Sequence, residues 1–297
     1  MQYTKQAITI DQQLSLLKNR GLIIDNESEA KDMFYRVSYF RLADYWRPME
    51  IDHTTRQFRN GSRFSSVIMH YQFDTELKAL LFRAIQEIEI AMRTRIIHHF
   101  SLLHGAFWFM DANLFRDQAL FQQHLNILQR DLQQSNEDYI TEHFQRYNTP
   151  SMPPAWKTME ITTFGVLSRL YSNFTNSSTK HIVARSLGIR HYLILRSWMI
   201  SIASLRNYCA HHARVWNRLF PVPPTIPTTM PNAWIADLSF NPNKLYPQLC
   251  CLAYWLNAID SQNNFATELK SLFAKYPTVN PSAMGFTIGW AQEDLWK

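Results

Sequence analysis

The chain has 297 residues, 46% of them hydrophobic, enough to bury a substantial core as one large domain or two small ones. Seven glycines and no GxGxxG or GxxxxGK run argue against a glycine-rich nucleotide fold. The three cysteines fit neither a disulfide framework nor a zinc ribbon, and a net charge of +6 favours an anionic partner, nucleic acid before membrane.

Residues 1–10 lack the apolar stretch of a secretory leader. The apolar run 193–205 is interrupted by Arg196 and is too short to span a bilayer, so a cytoplasmic protein with no membrane partner is expected. Thr9-Ile10-Asp11-Gln12 is a capping box opening a short helix that Gly21 closes. A second helical stretch runs from Ser28 to Tyr45-Trp46, with Pro48 helping to end it, and its tyrosines and tryptophan read as core packing. Residues 51–63, with Asn60-Gly61, read as a loop or small hairpin.

From Phe73 to Leu103 the pattern is helical without a break, with Asp74 as its N-cap and Leu77, Leu81, Ile85, Ile88, Met92 and Ile96 in the buried stripe. Helices are expected over 117–134, 137–147, 156–171, 179–187 (stopped by Gly188) and 191–218. Pro221, Pro223, Pro224, Pro227 and Pro231 then predict a rigid extended segment, followed by helices over 244–259 and 264–276. The expected fold is all-α with one small irregular insert. It is expected as a single domain, with an N-terminal helical extension 1–63, a core 64–220, and a Pro-rich segment with C-terminal helices 221–297.

The densest chemistry lies in Ser204-Leu-Arg-Asn-Tyr-Cys-Ala-His-His212. On a continuous helix Asn207, His211 and Arg214 share one face, while Arg206 lies about 140° around from His211 and reaches it only by its length. An arginine to clamp a phosphate and a histidine to move a proton near neutral pH are what metal-free RNA cleavage needs. Asn207 could orient the imidazole or the phosphate, or be a buried amide satisfied by backbone. His212 points about 100° from His211 and suits packing or RNA contact. The Arg-x4-His spacing alone is common; Arg93 with His98 shows it too, although Glu89, four residues before Arg93, would engage that arginine in a helix ion pair. Arg95, Arg214 and Arg218 could grip phosphates or belong to solvated helix faces. Adjacent histidines on a helix diverge, so His98-His99 and His211-His212 make poor chelators and no metal site or cofactor is expected.

Several blocks in order resemble the bacterial abortive-infection family AbiD/AbiF. They are 34–46 (FYRVSYFRLADYW), Phe73-Asp74-Thr75-Glu76-Leu77, Ile88 to Arg93, Trp156 to Glu160 with Phe164-Gly165, Arg206 to His212 with Val215 to Arg218, and Met284-Gly285-Phe286 with Trp290 and Trp296. That family is similar to the HEPN superfamily of helical nucleases. The resemblance implies a HEPN-like helical bundle with additional N- and C-terminal helices. It also implies a catalytic set of Arg206, Asn207 and His211, a supporting set of Glu89, Arg93 and His212, and a composite site completed by a second copy across a homodimer. Nucleotidylated HEPN toxins carry a tyrosine two residues after the histidine; Ala213 stands there, so that control is not expected.

The implied function is a metal-independent endoribonuclease toxin of phage defence. Its expected partners are an RNA substrate and an antitoxin RNA or protein. The alternative is a non-catalytic RNA- or protein-binding defence module on the same scaffold.

Overall fold

The computed structural model describes residues 2, 4 and 6–297. Its helices are α1 Ile10–Asn19, α2 Glu27–Arg36, α3 Tyr39–Trp46, α4 Phe64–His104, α5 Gln118–Gln134, α6 Asp138–Arg146, α7 Ala155–Thr158, α8 Phe164–Asn173, α9 Ser177–Arg185, α10 Tyr192–Ala210, α11 Tyr246–Ile259 and α12 Phe265–Lys275. The described residues form isolated β-bridges but no strand, so the protein is all-α. Two units divide the chain: one comprises the residues up to Lys78 with Leu272–Val279, the other Ala79–Ser271 with Asn280–Lys297.

In the first unit the capping box forms as expected: Gln12 N–H donates to Thr9 Oγ1 at 3.2 Å and Thr9 N–H to Gln12 Oε1 at 2.8 Å. Gly21, at φ +94°, follows the end of α1. The single stretch expected over 28–46 is two helices. Val37 leaves helical dihedrals and the Ser38 hydroxyl caps Arg41 N–H at 3.4 Å, because a serine side chain competes for backbone groups and favours a new start. Tyr45 and Trp46 are core, but Tyr35 is exposed, which corrects the uniform core assignment of the tyrosines; Phe40 is exposed as well.

The long helix begins at Phe64, not at Asp74. Asp74 is buried inside α4, where its carboxylate accepts from Tyr45 Oη at 2.6 Å and pairs with Lys78 Nζ at 3.0 Å. Those partners, one tertiary and one a turn away, hold an acid that looks like a cap in the sequence.

In the second unit α10 packs against α8, α9 and α11, burying Leu195, Trp198, Met199, Ile202, Leu205 and Cys209. The Pro-rich segment crosses it. Prolines offer carbonyls but no N–H, and α10 supplies the matching donors: Trp198 Nε1 to Thr225 O at 2.7 Å and Ser201 Oγ to Val222 O at 2.7 Å. The helix expected over 156–171 is interrupted between α7 and α8, with Thr163 capping Val166 N–H at 3.4 Å. Cys209, Cys250 and Cys251 are buried free thiols. Among the described residues no helix is long and apolar enough to cross a membrane.

Candidate functional site

The helix expected over 191–218 stops at Ala210, and His211 is its C-cap. His212 takes the left-handed conformation at φ +55°. Its N–H then bonds to Cys209 O at 3.0 Å, and Ala213 N–H reaches back to Tyr208 O at 2.9 Å. This pair of bonds is a Schellman ending, which satisfies carbonyls that the helix would otherwise leave open. Histidine is among the few non-glycine residues that visit this region readily. Consequently Arg214 does not continue the face of Asn207 and His211, and the 100° divergence expected between His211 and His212 does not apply.

Arg206 lies in the last turns of α10, with its side chain about one-third exposed. Glu89 of α4 faces it, Oε1 to Nε at 3.5 Å, an ion pair too long for a good hydrogen bond. The Phe82 ring, seven residues before Glu89 and so on the same helical face, lies 5.9 Å from the Arg206 Cζ. Burial pushes the Glu89 carboxyl above the usual carboxylate range, against the pull of Arg206 and then Arg93.

The local Glu89–Arg93 pair is therefore replaced. Arg93 turns to the break between α7 and α8, where Nη2 donates to Thr162 O at 2.9 Å and Nη1 stands 3.8 Å from Glu160 Oε2. Glu160 is exposed.

His211 and Asn207 are exposed, and among the described residues their side chains make no hydrogen bond. Arg206 and His211 thus share the end of α10 with no hydrogen bond between them. Beyond the helix the backbone turns back, burying Val215, Trp216 and Phe220. Arg218 lies over the Tyr208 ring at 4.3 Å and donates to Arg214 O at 3.2 Å. Asn217, at φ +47°, accepts from Lys244 Nζ at 2.9 Å. Burial first, and Arg214 second, lower the Lys244 ammonium, so Lys244 joins Arg214 and Arg218 as a basic group that the motif alone does not reveal.

Arg95 is half-buried on α4 and makes no ion pair among the described residues; its charge acts on His99 instead. His98 is exposed on a groove with Thr94, Leu102, Trp156 and Glu160. No group of three or more His, Cys, Asp or Glu able to hold a metal occurs among the described residues.

A plain sequence signal also marks this region. Residues 161–236 contain seven arginines and one lysine but no aspartate or glutamate. Arg206, Arg214 and Arg218 therefore draw no acid from their own stretch of chain, and the carboxylate at Arg206 comes from α4. A field of one sign over this segment suits an anionic ligand.

Residues 32–217, more than half of the chain, match the family described as Abi-like protein. No curated protein and no solved structure matches.

Proposed function

The chain belongs to the Abi-like protein family, and from that membership we propose that it is a metal-independent endoribonuclease toxin of abortive-infection phage defence, built on a HEPN-like bundle. In the proposed reaction the ribose 2′ oxygen attacks the adjacent phosphorus. The bond from phosphorus to the 5′ oxygen breaks, and a 2′,3′-cyclic phosphate and a 5′-hydroxyl end result. One group takes the 2′ proton, another protonates the departing 5′ oxygen, and a cation stabilises the phosphorane.

His211, exposed on the helix end, takes one of the proton-transfer roles. Arg206 binds the non-bridging oxygens through its forked donors. Asn207 orients the phosphate or the imidazole, and Arg95, Arg214 and Arg218 hold the strand on either side. The motif assigns one histidine, His211, to proton transfer, and a homodimer supplies the second. Glu89 acts as a resting counter-ion that the phosphate displaces from Arg206.

The observation that carries this reading is the placement of half-buried Arg206 and exposed His211 together at the end of α10, inside an acid-free stretch of chain. Induced expression tests it: wild type should arrest growth and leave cleaved RNA, and Arg206→Ala/His211→Ala should do neither. A second reading, an RNA- or protein-binding defence module without turnover, draws on the Glu89–Arg206 pair, in which Arg206 already has a carboxylate partner. That module would stay toxic without His211. In either reading an antitoxin RNA or protein would restrain the chain before infection.

A further inference from the structure

The first unit holds a surface cavity of about 350 Å³ that the proposed cleavage does not use. Arg20, Arg47, Arg56, Phe40, Trp46 and Glu50 line it. The spacing on and just after α3 brings them together, since positions 40, 43 and 47 recur on one helical face.

Phe40 is the anomaly. Its side chain is 75% exposed, although burying a phenylalanine is worth about 1.5–3 kcal/mol. It contacts Tyr39 edge-on at 5.6 Å, an arrangement that leaves ring surface free to stack. Behind it the platform is fixed, with Tyr39 set against Trp46 at 4.8 Å and its hydroxyl accepting from Arg20 Nη1 at 3.1 Å.

The charges around this ring are unequal. Arg56 makes no ion pair among the described residues. It follows a turn ordered by Asp52, whose carboxylate accepts from Thr54 N–H at 2.7 Å and Thr55 N–H at 2.8 Å. Among the described residues Arg47 pairs with Asp44 alone, at 3.4 Å. Glu50 is the carboxylate of the lining, its side chain 5% exposed and its Oε2 3.0 Å from His53 Nδ1.

We propose that this cavity binds a nucleotide, either a free nucleoside phosphate or an unpaired nucleotide of an RNA strand. The base stacks on Phe40, the phosphate takes the forked donors of Arg56 and Arg47, and Glu50 accepts from a base N–H. An exposed ring beside guanidiniums complements a ligand with a π-face and a phosphate, and the volume is that of a small-ligand site. The lining shares no residue with the set proposed for cleavage, so the inference stands or falls apart from cleavage.

Calorimetric titration of full-length His211→Ala protein with AMP, and in parallel with a short single-stranded oligoadenylate, tests it. The His211→Ala background removes the proposed cutting, while activity is read separately on wild type. Saturable binding is expected, weakened about ten-fold or more by Phe40→Ala, retained by Phe40→Trp and weakened with a shallower salt dependence by Arg56→Ala. Phe40 is on the surface, so its loss leaves folding intact. Binding of AMP assigns the site to free nucleotide, and binding of the oligomer alone assigns it to an RNA strand. No binding of either probe, or binding that either alanine substitution leaves unchanged, overturns the proposal.

Discussion

Glu89 and Arg206 face each other from two helices at 3.5 Å, although Arg93 stands one turn from Glu89 on its own helix. The acid with the nearer basic neighbour is spent on the arginine of the motif, and the neighbour is spent on the backbone of another segment. The pair holds the candidate phosphate-binding group at the end of α10 beside Phe82.

The environment of Glu89 fixes a pH dependence. Burial raises its carboxyl in the folded protein, so between the ordinary value of about 4.3 and the raised one the native state binds more protons than the unfolded chain. Stability contributed by this group therefore falls as pH rises through that window. Glu89→Gln removes the titration, and its unfolding free energy relative to wild type should climb as pH rises above about 4 and level off once the raised carboxyl is ionised. Urea titrations at several pH values measure this; a flat or falling difference contradicts it.

Arg93 is a structural clamp. Arg93→Met leaves the Thr162 carbonyl without that donor and should cost about 1–3 kcal/mol in thermal or urea unfolding. Glu160→Gln should change stability by less than about 0.5 kcal/mol, because Glu160 is exposed. Equal losses in the two variants would point to the ion pair instead of the carbonyl bond.

Local signals in the sequence locate most helices. Thr9 and Gln12 form both bonds of the capping box, and Asp117 caps α5 through Leu120 N–H at 2.9 Å. Errors arise where a distant residue decides. Asp74 resembles a cap until Tyr45, from another helix, bonds to it. The overrun past Ala210 has the same origin: Val215 and Trp216 extend an apolar pattern, but they are buried by a chain that has already turned. No glycine marks that turn, because His212 adopts the left-handed conformation itself. Of the candidate site, the sequence supplies Arg206 and His211 but not the pairing of Glu89 with Arg206, which depends on two helices packing.

His212 provides a test of that helix ending. A β-branched residue is strongly disfavoured at φ +55°, so His212→Val should destabilise by about 1–3 kcal/mol, whereas His212→Asn should be tolerated better. Equal stability of the two variants in urea would show that α10 does not end in a left-handed residue.

Lys180 is buried, its ammonium donating to Phe174 O at 2.6 Å, and burial lowers it to about 8, with Arg196 and Arg116 adding repulsion. Between that value and the unfolded one of about 10.4 the unfolded chain binds more protons, so this group adds stability as pH rises. The unfolding free energy of wild type minus that of Lys180→Met should increase across this window. A difference independent of pH would mean that Lys180 titrates as a surface lysine.

Cleavage by purified protein is the most direct measure of the account. Wild type incubated with single-stranded RNA in EDTA should generate 2′,3′-cyclic phosphate and 5′-hydroxyl ends, and His211→Ala, folded to the same thermal midpoint, should generate none. Equal cutting by His211→Ala, or cutting by wild type that EDTA abolishes, would contradict it.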